Sequence, residues 1–292
     1  MNKLTVCIFV FLGITQALFS NNKDSLSLFE NDAEPIPYST NEATMFGVGG
    51  YQLLDTYLSP YTYKGWGLSV ANEKLKTVSL FNHHGVRQQN FGIEFSSTEN
   101  DAKTASYLSG MISYGIGYGY RFEPCKNLRL IPGVSTRALA GFIYNTRNGN
   151  NPASMKLDVA ANLTGMAIYN FKIREFPLTL RFQTEIPFFS VFFSPNYMQS
   201  YYEIFSLGNY SGVVKAGSLH NYFTMRNYLT LDIPIYNYTV RVGYQNNIYK
   251  TNVNDLTTHM YSNSFMIGIV KEIVSYSGRK LKNKRGYNSA YY

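Results

Sequence analysis

The feature that most constrains this chain is an alternation of apolar and polar residues with a period of two, dominant after about residue 43. That period belongs to β-strands whose two faces meet different surroundings. From Tyr107 to Phe122 one face carries Leu108, Ile112, Tyr114, Ile116, Tyr118, Tyr120 and Phe122. The other carries Ser109, Met111, Ser113, Gly115, Gly117, Gly119 and Arg121. Between 128 and 144, Leu130, Val134, Ala138, Phe142 and Tyr144 alternate with Arg129, Gly133, Ser135, Arg137 and Gly141. Leu178, Leu180, Phe182, Ile186 and Phe188 alternate with Thr179, Arg181, Gln183 and Glu185. Phe223, Met225, Leu229, Leu231 and Ile233 alternate with Thr224, Arg226, Tyr228, Thr230 and Asp232, and Val240 and Val242 with Thr239, Arg241 and Gly243. No segment has comparable helical periodicity.

Ten strands are predicted, near 43–54, 64–76, 86–97, 106–122, 128–144, 156–171, 177–191, 219–233, 238–250 and 259–273. In the second half the links alternate in length. FEPCKN, KIREFP and DIPIYN read as tight turns; TRNGNNPASM, 192–218 and KTNVNDLTT read as longer loops. An even strand count with alternating short and long links is the pattern of a closed antiparallel up-and-down transmembrane barrel. The link at 77–85 fits less well: it should be a short turn, yet it is long and holds His83 and His84, read as a solvated turn rather than a ligand pair.

Alternation alone leaves open a lipocalin-like soluble barrel with its apolar face inward. Composition favours lipid outside. Only 15% of residues are charged while 16% are aromatic, and the polar face is Gly, Ser, Thr, Asn and Arg rather than mixed Lys and Glu. Aromatic residues gather at strand ends, as Tyr118, Tyr120, Phe122, Tyr169 and Phe171 at one end and Phe142 and Tyr144 at the other, like two interfacial girdles. A chain this aromatic is not intrinsically disordered. After residue 20 it has no apolar run long enough for a membrane-spanning helix.

The first residues read as a signal peptide, 1–20, with Lys3 ahead of the apolar run Leu4–Ile14 and small residues at Ala17 and Ser20. Residues 21–42 are expected to be a periplasmic linker, 43–275 the barrel, and 276–292 a basic, disordered tail. The formal charge of +8 is largely peripheral: without Lys3 and the tail's Arg279, Lys280, Lys282, Lys284 and Arg285 it falls to +2. Cys7 lies in the signal, and Cys125 is read as an incidental free thiol.

Inside a narrow ten-strand barrel, Arg121, Arg129, Arg137, Arg181, Arg226 and Arg241 would face Glu94, Asp158, Glu185 and Asp232. Guanidinium–carboxylate forks could knit these into a plug. The alternative is a small, slightly anion-favouring diffusion pore. A third reading is a surface lipid or lipopolysaccharide hydrolase at the barrel rim, with His259, Ser262 and Asn263 as suggestive residues. His259 and Ser262 stand three apart, however, so alternation puts them on opposite faces. His220 near Glu203 and Ser206 is looser still. Surface-loop candidates are Asn148, Asn150, Tyr201, Tyr202 and Glu203, which could cap the mouth or contact a glycan or an envelope protein. Outer-membrane lipid is the expected surrounding. No metal, cofactor or nucleic-acid motif is present.

The segments GFIYNTRNGNNPASMK (141–156), FSPNYMQSYYEIFSLGN (193–209), LTLDIPIYNYTVRVGY (229–244) and HMYSNSFMIGIVKE (259–272) resemble a Bacteroidota family, the domain of unknown function 3316. The resemblance runs from about Gly49 to Glu272. It implies an exported outer-membrane barrel and implies no activity. The tail beyond Ser275 extends past the family's usual end, so assembly could read Ile267–Ile273 internally or Tyr291–Tyr292 at the end.

Overall fold

The computed structural model describes residues 39–174, 176–235, 238–274 and 289–291. The expected signal peptide, nearly all of the linker and most of the tail lie outside the described residues. The strands are β1 (Ser39–Asp55), β2 (Ser59–Val78), β3 (Gly85–Asn100), β4 (Ser106–Tyr120), β5 (Phe122–Cys125), β6 (Leu128–Asn145), β7 (Ala153–Ile173), β8 (Phe176–Phe193), β9 (Val214–Gly217), β10 (Tyr222–Ile235), β11 (Tyr238–Val253) and β12 (Leu256–Val274). One short helix, α1 (Tyr201–Phe205), precedes β9.

Ten of these strands form a closed antiparallel ring in the order β1, β2, β3, β4, β6, β7, β8, β10, β11, β12. Seventeen residue pairs, Ser39↔Val274 to Asp55↔Thr258, join the first strand to the last. Seven pairs, from Arg226↔Glu185 to Asp232↔Thr179, join β8 to β10. Among the described residues every ring strand pairs on both sides, which is what a spanning sheet requires where no water is available to its amides. The two remaining strands are side pairings, β5 on β6 and β9 on β8.

The faces fall as the alternation predicts. Phe46, Val48, Trp66, Leu68, Phe95, Ile112, Val134, Leu163, Phe182, Phe265, Ile267 and Ile269 point outward and are exposed. Ser69, Glu73, Gln88, Asp158, Asn162, Arg181, Gln183, Glu185, Asp232, Arg241 and Ser262 point inward and are buried. The aromatic clustering at strand ends is also present: Tyr120 meets Phe122 at 4.6 Å and Tyr169 stacks on Phe171 at 5.8 Å.

Several details differ from expectation. Among the described residues β1 reaches back past residue 43 to Ser39, where Ser39 and Asn41 place short polar groups on Glu272 and Arg241 inside the barrel. The link KTNVNDLTT (250–258) is no loop: β11 and β12 pair down to Val253↔Leu256, and Asn254 and Asp255 turn the chain with positive φ. Such two-residue turns suit Asn and Asp. The 79–84 link is a left-handed turn through Phe81, Asn82 and His83 (φ 54°, 55° and 68°). A β-bulge opposite Ala161/Asn162 interrupts the alternation in β8, so Phe188 and Phe189 both point outward and Ser190 and Phe192 return inward. Of the tail, only Ser289, Ala290 and Tyr291 are among the described residues, and all three are buried.

Candidate functional site

The barrel has two ends. One bears both strand termini (Ser39, Val274) and the links near 79–84, 121–127, 174–175 and 236–237; it is called here the terminal end. The other, the loop end, bears the links near 56–58, 101–105, 146–152, 194–221 and 254–255.

The strongest polar constellation lies in the lumen towards the terminal end. Arg181 on β8 donates from Nη1 to Glu73 Oε1 on β2 at 2.6 Å. These strands are the second and seventh members of the ring, so the pair crosses its diameter. Arg241 on β11 reaches the other oxygen, Glu73 Oε2, at 3.2 Å. It also grips Asp232 at two points, Nε to Oδ1 at 2.6 Å and Nη2 to Oδ2 at 2.8 Å. Gln88 donates to Glu73 at 2.5 Å and to Gln183 at 2.9 Å, adding a link from β3 to β8. Both arginines are 0% exposed. Charges this deeply placed persist only when paired and hydrogen-bonded.

A cavity of about 100 Å³ lies between this layer and the loop end, lined by Tyr51, Glu94, Met111, Arg137, Arg226, Asn247 and Met260 among others. Glu94 accepts from Tyr51 Oη and from Asn247 Nδ2, each at 3.1 Å. Arg226 stands 3.7 Å from Glu185. Nearer the loop end, Tyr222 Oη donates to Asp158 at 2.9 Å, and Lys156 on β7 meets Asp55 on β1 at 2.8 Å. Here again the ring members, sixth and first, are opposite. Tyr63 and Tyr107 stack at 3.6 Å beside Leu53, Leu58 and Ile143.

The long 194–221 loop folds over this end. Ser200 caps α1: its Oγ accepts from the Glu203 amide at 3.2 Å, and Glu203 Oε2 accepts from the Ser200 amide at 2.8 Å. Tyr57 Oη donates to the Gln199 carbonyl at 3.0 Å, and Asn254 Nδ2 donates to the Ser194, Pro195 and Gly212 carbonyls. Tyr201 accepts from the Met155 amide at 2.6 Å and meets Tyr57 edge-on at 5.5 Å. Burial pushes the phenol pKa of both Tyr57 and Tyr201 upward.

The sequence-predicted residues divide accordingly. Arg181, Arg241 and Asp232 converge in one layer, while Arg226 pairs with Glu185 and shares the cavity wall with Arg137. Arg121 and Arg129 do not join them: both turn to Glu123 at the terminal end, at 3.4 and 3.3 Å. Glu73, the carboxylate between two guanidiniums, was missed. Its signal was present, because Trp66, Leu68 and Val70 outward place Ser69, Ala71 and Glu73 inward by parity. Asp55 and Lys156 were missed too. Among the loop candidates, Asn148, Tyr201 and Glu203 are engaged within the chain, whereas Asn150 and Tyr202 are exposed. His259 and Ser262 lie on opposite faces of an uninterrupted β12, with Ser262 Oγ accepting from Asn247 at 3.1 Å. Cys125 is a free, exposed thiol.

A family model described as "Protein of unknown function (DUF3316)" matches residues 4–280. No curated protein matches the sequence. Among solved structures, the translocator domain of autotransporter NalP from Neisseria meningitidis is similar at 10% identity, covering 82% of this chain and 90% of that one, TM-score 0.39. The transport unit of the autotransporter AIDA-I from Escherichia coli is similar at 9% identity, covering 87% and 96%, TM-score 0.33. An outer membrane channel from Pseudomonas putida F1 is similar at 9% identity, covering 84% and 100%, TM-score 0.31.

Proposed function

The chain belongs to the DUF3316 family of proteins of unknown function, and from that premise we propose that it is an integral outer-membrane barrel with a closed lumen, acting through its loop end on an envelope protein or glycan. Lipid outside is supported by the continuous belt of outward Phe, Trp, Val, Leu and Ile, far more contiguous apolar surface than a water-soluble monomer exposes. Fully buried ion pairs on the opposite face fit a small filled interior rather than a solvated surface.

The single observation that carries the closed lumen is the Glu73–Arg181 pair across the diameter, joined by Arg241. A diffusion pore needs a continuous water path at this level, and these side chains occupy it. The rim-hydrolase reading loses its Ser–His contact because the two residues face opposite ways. The lumen network Arg137, Arg181, Glu185, Arg226, Asp232 and Arg241 is therefore assigned to holding the barrel shut, with Glu73 at its centre. Arg121 and Arg129 secure the terminal rim.

Planar-bilayer recording tests this reading. The wild-type chain is expected to give no stable unitary current, and Glu73→Ala combined with Arg181→Ala is expected to give one. Stable unitary currents from the wild type would overturn the closed lumen. Heat-modifiable gel mobility in the outer-membrane fraction tests location; a wild-type chain that stays in the soluble fraction would overturn it.

A further inference from the structure

We propose that the terminal end of the barrel contains a peptide-binding socket, which the chain fills with its own segment Ser289–Tyr291. The inference deepens the closed-lumen reading, since it names what stops that end.

Ser289, Ala290 and Tyr291 lie inside the barrel, yet no pair in the strand ladders involves them; the ring closes through β1 and β12 without them. They sit there as a ligand would. The Tyr291 ring is 0% exposed and has guanidiniums over it, Arg241 Cζ at 4.7 Å and Arg181 Cζ at 5.6 Å from its centroid. Arg181 lies over Tyr228 as well, at 5.1 Å, so two phenol rings and two arginines alternate. Aromatic faces attract such cations most strongly where water is excluded. Apolar walls from Leu75, Val86, Ile131, Met166 and Ile168 complete the contact with Ala290 and Tyr291.

Polar groups hold the segment's backbone and hydroxyl. Arg121 Nη1 donates to the Ser289 carbonyl at 3.1 Å, and Ser289 Oγ donates to Glu272 Oε1 at 2.6 Å. The Tyr291 amide donates to Ser289 Oγ at 3.2 Å. The socket therefore recognises a short peptide with an aromatic ring, a small residue before it and a hydroxyl before that. The arginines are held in place by Glu73 and Asp232, so the ring site is built before the peptide arrives.

The test uses the purified barrel in detergent and in bilayers, with and without residues 289–292, and a fluorescently tagged peptide Asn-Ser-Ala-Tyr-Tyr. The peptide is expected to bind the truncated chain saturably and the full chain at least tenfold more weakly. Replacing the tyrosine that corresponds to Tyr291 by alanine should weaken binding tenfold or more, whereas phenylalanine should keep it within about threefold, since the ring face and its burial supply the contact. A truncated chain that keeps its heat-modifiable mobility but binds no peptide, or a full chain that binds it equally well, overturns the socket. If the truncated chain does not fold, Tyr291→Ala in the full chain replaces it; peptide capture supports the socket there, and no capture overturns it. The two readings fail separately. Currents through the wild type would sink the closed lumen whatever the peptide does, and absent peptide binding would sink the socket while a silent wild-type bilayer leaves the closed lumen standing.

Discussion

Glu73 and Arg181 meet at 2.6 Å from strands that stand opposite one another in a ten-strand ring. The same carboxylate receives Arg241 at 3.2 Å, so one acid neutralises parts of two fully buried guanidiniums. Glu73→Ala should therefore leave two buried cations short of a partner and destabilise the barrel by about 3–5 kcal/mol. Glu123→Ala removes a half-exposed partner of Arg121 and Arg129 and should change stability by about 1 kcal/mol or less. Denaturant unfolding in detergent, scored by gel mobility, compares the two; equal effects would contradict the assignment of Glu73 to the centre of the network.

Phe265 is 72% exposed on the outward face of β12, flanked by inward Ser264 and Met266. Phe265 stands at the middle of β12, so with lipid against that face Phe265→Lys should cost about 2–4 kcal/mol of folding stability in bilayers. Reversible unfolding in lipid vesicles measures it. A neutral outcome there would favour water over lipid as the neighbour of this face.

Gly49 is a place where two strands approach too closely for a side chain. A Cβ at this position would stand 2.0 Å from the Asn263 carbonyl and 2.5 Å from Ser264 Cα, both backbone atoms. Gly49→Ala should destabilise by about 1–3 kcal/mol through forced strand movement. Gly149, in the 146–152 loop, has nothing within 4 Å of such a Cβ, and Gly149→Ala should be near neutral. Thermal unfolding of the two variants side by side gives the contrast.

Tyr57 and Tyr201 clasp the loop end, and burial raises both phenol pKa values. A group whose folded pKa lies above its unfolded value adds stability that is complete below the unfolded pKa, about 10 for tyrosine, and is lost as pH rises through the folded value. Proteolysis of the 194–221 loop should thus be flat from neutral pH to about 10 and increase above it. Tyr201→Phe should lessen that increase. Loop cleavage that rises steadily from neutral pH would contradict this account.

How much could be read from the chain alone is clearest at β8 and β12. In β12, uninterrupted alternation correctly separates His259 from Ser262. In β8 it separates Thr179, Arg181, Gln183 and Glu185 from Leu178, Leu180, Phe182, Ile186 and Phe188 correctly, and beyond Phe188 a bulge changes parity without any break in composition. Composition hides the turn at Asn254–Asp255 within an apparent loop, since polar residues such as Thr251 and Thr257 extend the strands beyond their apolar stretch.

The sequence by itself determined the ten ring strands, their antiparallel order and, outside the β8 bulge, which side chains share a face, because a period of two is a local property of extended backbone. Only the tertiary structure decided which inward charges meet. Glu73 and Arg181 are 108 residues apart, and their contact exists only because closing the ring brings opposite walls within reach. The position of Tyr291 was hidden for the same reason: a three-residue segment carries no period, and its site is formed by arginines that closure assembles.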